Sequence, residues 1–262
     1  MKIILVVLFL CASVMAQTEF PSFPKFYNFI PIGSYSADDG ADARWAMDDA
    51  AFYTVADDSI SQIDDRINAY NITQSTTANR PAFATNAVDF DGTNDDIFIS
   101  HAGGGSNLKY AESVSFTIEW YADCDGASTV HTIFSMGRRA VNGIVVYVNA
   151  SLNRLYFYSG GTSVYWESET PESKHYGAVT ITSNGSEWQT AELFLNGVSQ
   201  GAEDISGTTV NYTTYGVGLG ANRLGSSDQD FFDGKIYEVR ISPSIRTQSE
   251  IDAYKLYLES KY

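Results

Sequence analysis

The sequence is poor in the side chains that most enzymes use for nucleophilic or metal chemistry. It holds two cysteines and three histidines among its 262 residues. The histidines, His101, His131 and His175, lie far apart and lack the spacing of zinc ligands. The one G-x-S-x-G stretch, Gly197–Gly201, starts at a predicted hairpin turn and no helical pattern follows it, so it lacks the strand–turn–helix context of a nucleophilic serine. These absences argue against a zinc enzyme and against serine or cysteine hydrolysis.

Basic residues are scarce as well. The chain carries 16 lysines and arginines against 32 aspartates and glutamates, a net charge of −16. A negative field of this size repels nucleic-acid backbones and anionic membranes, so cations are the natural small partners and no nucleic-acid partner is expected. Solubility in a salty or crowded exterior would explain the same charge.

Long apolar runs are confined to the N-terminus. Lys2 precedes the run Ile3–Leu10, and small residues follow as far as Ala16. This pattern predicts a secretory signal peptide over residues 1–16, and the alternative is an uncleaved N-terminal anchor. The run is shorter than the roughly 20 residues that span a bilayer. We therefore expect a secreted protein, extracellular or on a particle surface, with no membrane span after cleavage.

Loss of the signal peptide would also remove Cys11 and leave Cys124 alone. Cys124 then either is buried as a small apolar residue or pairs between chains. Stability must come from a core, and a chain of this length is long enough to bury one. We predict a single sandwich domain over residues 41–262.

The segment 17–40 combines prolines with aromatic rings. Proline interrupts regular structure, yet so aromatic a stretch is not typical of a disordered linker. We predict an extended arm that packs either on its own domain or on a neighbouring subunit. Its prolines and rings are Phe20, Pro21, Phe23, Pro24, Phe26, Tyr27, Phe29 and Pro31.

From residue 85 onward the pattern indicates β-structure. Apolar and polar residues alternate from Val114 to Tyr121, which places one strand face in a core. Asp-Gly and Asn-Gly pairs, which favour tight hairpins, separate the short apolar runs. The sequence predicts an all-β fold, a two-sheet antiparallel jelly-roll sandwich. The apolar runs are Ile97–Ile99, Ile133–Met136, Ile144–Val148, Leu155–Tyr158, Val179–Ile181, Leu193–Leu195, Val217–Leu219 and Ile236–Ile241.

One short helix is expected, at the C-terminus. Thr247 and Glu250 have the spacing of a capping box. Ile251, Tyr254 and Leu258 then follow at helical spacing. We expect this helix to pack across the sandwich and close one end.

Several phrases, in order, resemble the laminin-G-like and concanavalin A-like lectin/glucanase superfamily. The resemblance covers residues 43–258 and implies the sandwich fold. It leaves function open, because lectins, adhesion modules, glycanases and virus surface domains share this sandwich. The phrases are Asn71–Pro81, Val88–Ile97, Val114–Trp120, His175–Thr180, Leu193–Val198, Phe232–Ile241 and Ser249–Tyr254.

Aromatic side chains are the first candidates for a binding site, because their rings stack on the apolar faces of sugars. The chain holds 17 tyrosines and four tryptophans. Some of these rings belong to the core, and the pattern does not tell which. The predicted glycan contacts, on neighbouring predicted strands, are Tyr147, Tyr156, Tyr158, Tyr165 and Trp166.

Two acidic loops are candidates for Ca²⁺, which prefers oxygen ligands. Their spacing departs from that of an EF-hand loop. The resemblance favours Ca²⁺, since several members of the superfamily bind it in edge loops, and the alternative is two polar hairpin loops. The candidate ligands are Asp228, Asp230 and Asp233 in one loop and Asp91, Asn94, Asp95 and Asp96 in the other.

The carboxylates give little support for glycan hydrolysis. The E-x-D-x-x-E strand of the superfamily's glucanases is absent. Glu167 and Glu169 would share a strand face beside Trp166, which is also typical of ordinary exposed strand residues. We therefore predict no enzymatic activity.

Four sequons are candidate glycosylation sites if the protein passes through an endoplasmic reticulum. In a chain so rich in Asn, Ser and Thr, several sequons also arise by chance. They are Asn71, Asn149, Asn184 and Asn211.

Three functions remain as hypotheses. The first is a secreted lectin-like or adhesion module that binds glycans or cell-surface proteins, with or without Ca²⁺. The second is a structural subunit of an extracellular assembly, such as a virion surface, appendage or fibre, whose residues 17–40 contact a neighbour. The third, disfavoured by the carboxylate pattern, is a polysaccharide-acting enzyme.

Overall fold

A computed structural model describes residues 40–99, 110–125, 130–137, 143–167, 174–210, 216–224 and 227–262. These residues lie within one compact unit, residues 35–262. The predicted signal peptide and residues 17–39 of the predicted arm lie outside the described residues. Self-assembly through that arm therefore stays a prediction.

The described residues form β-strands, three short 3-10 helices and one α-helix. The strands are β1 (Ala43–Ala46), β2 (Tyr53–Ala56), β3 (Ser59–Ile63), β4 (Ile72–Thr73), β5 (Ala82–Ala84), β6 (Ala87–Asp91), β7 (Ile97–Ile99), β8 (Phe116–Cys124), β9 (His131–Met136), β10 (Ile144–Asn149), β11 (Arg154–Ser159), β12 (Thr162–Glu167), β13 (His175–Ser183), β14 (Trp188–Leu195), β15 (Val198–Asp204), β16 (Val217–Leu219), β17 (Asn222–Leu224), β18 (Ser227–Gln229) and β19 (Asp233–Ser242). The 3-10 helices are Ala50–Phe52, Thr77–Asn79 and Ala150–Leu152, and the α-helix, α1, is Gln248–Lys261.

Apart from β17 and β18, which pair only with each other, the described strands form two antiparallel layers. The first sheet runs β15–β14–β13–β8–β19, and β1 and β6 both pair with the far side of β19. The second sheet runs β12–β11–β10–β9–β16–β7–β4–β3–β2. A single pairing, Ser59 with Ala82 of β5, links the two sheets into a nearly barrel-shaped structure. The predicted all-β, two-sheet antiparallel sandwich is confirmed.

The core lies between the two sheets and follows the predicted alternation from Phe116 onward. Val114, at the start of the predicted strand, instead precedes β8 and is 37% exposed. Phe116, Ile118 and Trp120 of β8 all point into it and are fully buried. Trp120 crosses the neighbouring strand at Gly177, where an added Cβ would lie 2.1 Å from the ring. Each of the apolar runs named from Ile97 to Ile241 falls inside a strand. Cys124 is buried in the same core, as the first of its two alternatives held.

One of the predicted turns is part of a strand instead. Asp233 and Gly234 begin β19, where Asp233 pairs with Asp91 and Gly234 with Cys124. Gly234 has a φ of 127°, and an added Cβ would lie 2.1 Å from the carbonyl oxygen of Asp123. The glycine is needed here for the close approach of two strands and not for a hairpin.

Helix α1 begins where the capping box predicts. The Thr247 side chain accepts a hydrogen bond from the Glu250 N–H, and the Glu250 carboxylate accepts one from the Thr247 N–H. Ile251, Tyr254 and Leu258 are buried as predicted. They pack on the outer face of the first sheet, against Tyr121, Tyr176, Ala178 and Phe194, and not over an end of the sandwich.

Buried ion pairs lie beneath α1. Arg240 Nε donates to Glu119 at 2.8 Å, and Arg44 Nε donates to Glu238 at 2.6 Å. Lys261 Nζ, near the end of the helix, lies 2.9 Å from Glu238. Burial alone would raise the pKa of Glu238, but Arg44 and Lys261 outweigh it and lower that pKa to about 2. The Glu–Val–Arg phrase of β19 therefore anchors the helix to the sheet.

Among the residues that the structure describes, no helix is both long and apolar enough to cross a membrane.

Candidate functional site

A row of tyrosines crosses three strands at one edge of the second sheet. In β11, Leu155 and Phe157 enter the core, so Tyr156 points away from it. Strand register places Tyr147 of β10 and Tyr165 of β12 directly on either side of Tyr156. We call Tyr147, Tyr156 and Tyr165 the tyrosine row.

The rings of the tyrosine row contact one another in sequence. Tyr147 and Tyr156 stack with centroids 4.7 Å apart and planes 3° apart. Tyr156 and Tyr165 follow at 5.4 Å, tilted by 41°. Tyr147 is buried, Tyr156 is half-buried and Tyr165 is 44% exposed. Exposure therefore increases along the row, and Tyr165, on the edge strand, presents its ring to solvent.

Arg154 packs on the exposed end of the row. Its guanidinium carbon lies 4.0 Å from the centroid of the Tyr165 ring. Its Nη2 donates to the Glu167 carboxylate at 3.1 Å, because the two residues are register partners on β11 and β12. Hydrogen bonds to Tyr156 and Glu167 raise the pKa of Arg154. The cation thus holds Tyr165 in place and is itself neutralised by a neighbouring carboxylate.

A cleft of about 470 Å³ opens beside Tyr165, between edge strand β12 of the second sheet and edge strand β15 of the first. Trp166 joins the two strands, since its indole Nε1 donates to the Gly201 carbonyl at 2.9 Å. The cleft is lined by Ser163, Val164, Tyr165, Trp166, Glu167, Gln200 and Glu203.

The predicted aromatic set is thus divided by the fold. Tyr165 and Trp166 are consecutive, so they point to opposite sides of β12. Trp166 is 4% exposed and belongs to the core, although it also lines the cleft. Tyr158 is half-buried in the next row along β11, opposite Ser163. Their role in glycan binding stays a prediction.

Sequence reasoning missed Arg154 beside the cleft and four of the lining residues, which are Ser163, Val164, Gln200 and Glu203. Arg154 precedes Tyr156 by two positions, but its place over Tyr165 depends on cross-strand register. Gln200 and Glu203 belong to the other sheet and lie more than 30 positions away along the chain. The available signal was a pair of opposite charges on neighbouring strands, with Arg154 at the start of β11 and Glu167 at the end of β12.

We call the loop of Asp91, Asn94, Asp95 and Asp96 the first acidic loop and that of Asp228, Asp230 and Asp233 the second. In the first loop, the side chains form hydrogen bonds that stabilise the turn itself. Asp91 Oδ1 accepts hydrogen bonds from the N–H groups of Thr93 and Asn94, at 2.8 and 3.3 Å. Asp95 Oδ2 accepts from the Asp91 N–H at 3.0 Å. Asp96 is buried, and its side chain accepts from Gln74. These carboxylates are ordered by protein donors.

Asp95 is the most perturbed carboxylate of this loop. Burial is the main cause, and the neighbouring charge of Asp91 adds to it, so that the pKa of Asp95 rises to about 6. A carboxyl group with this pKa is protonated over part of the mildly acidic range. The loop is therefore sensitive to pH.

The second acidic loop meets the first across two strands. Asp233 is the register partner of Asp91. Asp230 instead lies beside Asn222, whose side-chain amide donates to it at 3.3 Å. The side chain of Asp228 lies outside the described residues. Over the described part of the chain, no group of three or more His, Cys, Asp or Glu residues is arranged to hold a metal ion. Calcium binding stays a prediction.

The remaining candidates are the histidines and the glutamates near Trp166. Each of them either contacts neighbouring protein groups or lies outside the described residues. Trp120 Nε1 donates to His175 Nε2 at 3.1 Å, and the Asp233 N–H donates to His131 Nδ1 at 3.2 Å. Glu167 is exposed and pairs with Arg154. His101 and Glu169 lie outside the described residues.

Three of the sequon asparagines, Asn71, Asn149 and Asn184, take part in local hydrogen bonds. Asn149 Oδ1 accepts one from the Ser151 hydroxyl at 2.8 Å. Asn184 is exposed, and its Oδ1 accepts from the Ser186 N–H at 2.9 Å in the turn after β13. Asn71 Oδ1 accepts from the Asp65 N–H at 3.1 Å. Asn149 is half-buried at the end of β10, and Asn211 lies outside the described residues. Glycosylation at these sites stays a prediction.

Two antiparallel sheets around one core, with an aromatic cleft at their joined edges, define a jelly-roll sandwich. A model of the concanavalin A-like lectin/glucanases superfamily matches residues 91–252, more than half of the chain. The chain belongs to this superfamily, which confirms the resemblance noted in the sequence. No curated protein matches it by sequence.

Solved structures of similar fold include a sialidase and a carbohydrate-binding module of another sialidase. The CBM40 module of the Ruminococcus gnavus IT-sialidase, bound to α2,3-sialyllactose, aligns with a TM-score of 0.52 and 11% identity over 64% of this chain and 97% of that one. Trypanosoma rangeli sialidase aligns with a TM-score of 0.59 and 11% identity over 92% of this chain. The chain spans 36% of that sialidase. At these identities the likeness establishes the fold alone.

Proposed function

We propose that this protein is a secreted, non-catalytic lectin-like module that binds a glycan at the cleft between β12 and β15. The observation that carries the proposal is the tyrosine row, which ends in the exposed ring of Tyr165 at the cleft. Adhesion to glycan-bearing surfaces or proteins would be the biological role.

The chemistry of the cleft suits a sugar. A pyranose ring has an apolar face of C–H groups, which packs on an aromatic ring, and a rim of hydroxyl groups, which needs polar partners. Tyr165, which is 44% exposed, offers the ring, and contacts with Tyr156 and Arg154 hold it in place. Ser163, Gln200 and Glu203 supply hydroxyl, amide and carboxylate groups within the same cleft.

The neighbour of similar fold from Ruminococcus gnavus supports a glycan as the ligand class. That module was solved bound to sialyllactose, and 97% of its length aligns with this chain. A compact sandwich of this kind therefore suffices for glycan binding in at least one protein.

The carboxylates of the cleft favour binding over hydrolysis. Glycoside hydrolysis needs an acid held in a desolvated setting and a second carboxylate across the scissile bond. Glu167 and Glu203 are both exposed, and Glu167 is already paired with Arg154. The cleft therefore supplies contacts but no evident pair of catalytic groups.

The test is titration of the purified protein with the best ligand from a glycan panel, by isothermal calorimetry. Tyr165→Ala should weaken binding about tenfold, because loss of a stacking ring costs about 1.4 kcal/mol. The matched control is Phe83→Ala, since Phe83 is 39% exposed and stacks on Tyr53 far along the sheet order from β12.

Equal affinity of Tyr165→Ala and the parent protein would contradict the proposed site. Release of reducing sugar from the bound glycan, lost in Glu167→Gln, would contradict the non-catalytic role. N-terminal sequencing of protein from the native host tests secretion, with a mature chain beginning at Gln17 as the expected result.

A further inference from the structure

The rim of the cleft carries negative charge and no positive charge of its own. Of the seven lining residues, Glu167 and Glu203 are acidic and none is basic. Glu203 is exposed on β15, and its side chain makes no hydrogen bond or ion pair with any residue in the described part of the chain. The Glu203 carboxylate is thus available to a ligand.

Arg154 is a cation that contacts two of the lining residues. Its guanidinium lies over the Tyr165 ring, and its Nη2 donates to Glu167 at 3.1 Å. A ligand carboxylate would compete with Glu167 for Arg154 and would lie near Glu203. Repulsion from these two carboxylates opposes its binding, and the net charge of −16 adds a repulsive field.

A ligand amine meets the opposite situation. Protonated amines form charge-assisted hydrogen bonds to carboxylates, which are stronger than bonds between neutral groups. The Gln200 side-chain amide donates to the Val198 carbonyl at 3.0 Å, which leaves its oxygen as an acceptor. The cleft therefore offers the Glu203 carboxylate and the Gln200 oxygen to an ammonium group, beside an aromatic ring for the sugar face.

We propose that the cleft selects glycans that contain sugars with a free, protonated amine, such as deacetylated glucosamine oligomers, over neutral and carboxylate-bearing glycans. This inference rests on the proposed function and adds the ligand class. Glu203 is the specificity-determining residue, and Tyr165 provides the stacking surface common to all sugars.

The preference is the reverse of what the similar fold would suggest. The sialyllactose bound by the Ruminococcus gnavus module carries a carboxylate. In this chain, the free side chain at the cleft is itself a carboxylate. Modules that share this sandwich can bind different ligands, because edge-strand residues vary without cost to the core.

The experiment compares three trisaccharides of similar size by calorimetry at pH 6: glucosamine trimer, N-acetylglucosamine trimer and 3′-sialyllactose. At low salt the glucosamine trimer should bind about fivefold more tightly than the N-acetylated trimer, and sialyllactose should bind most weakly. The advantage of the amine should shrink towards zero in about 1 M salt, where charges are screened within about 3 Å.

Glu203→Gln should remove the advantage of the amine at low salt and leave the affinity for the N-acetylated trimer within about twofold. The matched control is Asp58→Asn, which removes one exposed negative charge at the β2–β3 turn, at the opposite edge of the second sheet. Asp58 has a φ of 62°, a conformation that asparagine tolerates well. This control should keep the full preference.

The outcomes separate the two proposals. Sialyllactose or the N-acetylated trimer binding as tightly as the glucosamine trimer, or an unchanged preference in Glu203→Gln, would overturn the amine selectivity while glycan binding stands. Absence of binding to these sugars and to a broad glycan panel would overturn the proposed function itself.

Discussion

The same three residue types, Tyr, Arg and Glu, form two clusters with opposite surroundings. Beneath α1, Arg240 lies 3.5 Å from the centroid of Tyr254 and pairs with Glu119, and both charged side chains are fully buried. At the edge of the second sheet, Arg154 lies 4.0 Å from Tyr165 and pairs with Glu167, which is 78% exposed. Chemistry that anchors a helix in one place is presented to solvent in the other.

The difference shows that burial, and not residue type, assigns the role. A buried ion pair is strongly coupled to folding, because removing one partner leaves an uncompensated charge in a low-dielectric interior. An exposed pair is screened by water and contributes little to folding, so a change in it leaves the fold intact and alters only the surface that a ligand meets. We therefore expect substitutions in the first cluster to affect stability and those in the second to affect binding.

The largest expected effect is on the buried cluster. Arg240→Ala should lower the free energy of unfolding by about 3–5 kcal/mol, since it leaves Glu119 buried without its closest partner. Arg154→Ala, the matched control, should leave the free energy of unfolding nearly unchanged, because this exposed ion pair is screened by water. Urea unfolding followed by tryptophan fluorescence measures both. Similar losses in the two variants would break the distinction between the clusters.

The second effect concerns acid. The pKa of Glu238 is lowered to about 2 in the folded chain, so its contribution is present above its ordinary value near 4.5 and is lost as the pH falls towards 2. About 3 kcal/mol of stability should disappear over this range. Urea midpoints between pH 5 and 2 test it.

Glu238→Gln is the variant for that titration. It should be less stable than the parent protein at pH 7 and lose less stability on acidification, because it has no carboxylate to protonate. A parent and a variant with parallel pH profiles would mean that Glu238 is not the group responsible.

A smaller effect of opposite sign is expected from the first acidic loop. The pKa of Asp95 is raised to about 6, so its contribution is fully present below the ordinary value near 4 and is lost as the pH rises through 6. Its share of stability should fall by about 1–2 kcal/mol over that interval.

Asp95→Asn tests this assignment, because an amide oxygen can still accept the hydrogen bond from the Asp91 N–H. The variant should be more stable than the parent protein above pH 6, and the difference should vanish near pH 4. A variant that is less stable at every pH would show that the carboxylate is needed for the turn itself.

Local patterns were sufficient for much of the fold. The alternation through Phe116, Ile118 and Trp120, and the helical spacing of Ile251, Tyr254 and Leu258, each identified buried residues correctly. Such periodicities depend only on how successive side chains point, so a single segment contains the information. The location of α1 on the sheet face did not follow from them.

The candidate site was predicted only in part. The sequence grouped Tyr147, Tyr156, Tyr158, Tyr165 and Trp166, and register separated them into a stacked row, a half-buried ring and a core residue. Register depends on pairings between strands, which no single strand encodes. Glu203 and Gln200 came from a different sheet and could not be placed beside Tyr165 in advance.

The sequence by itself determined that this chain forms an antiparallel sandwich with a C-terminal helix, because strand alternation, turn residues and a capping box are local properties of the chain. Only the tertiary structure decided which Tyr, Arg and Glu residues are buried beneath α1 and which border the cleft. That choice depends on the packing of distant segments, and burial sets whether a charge stabilises the fold or remains free to bind.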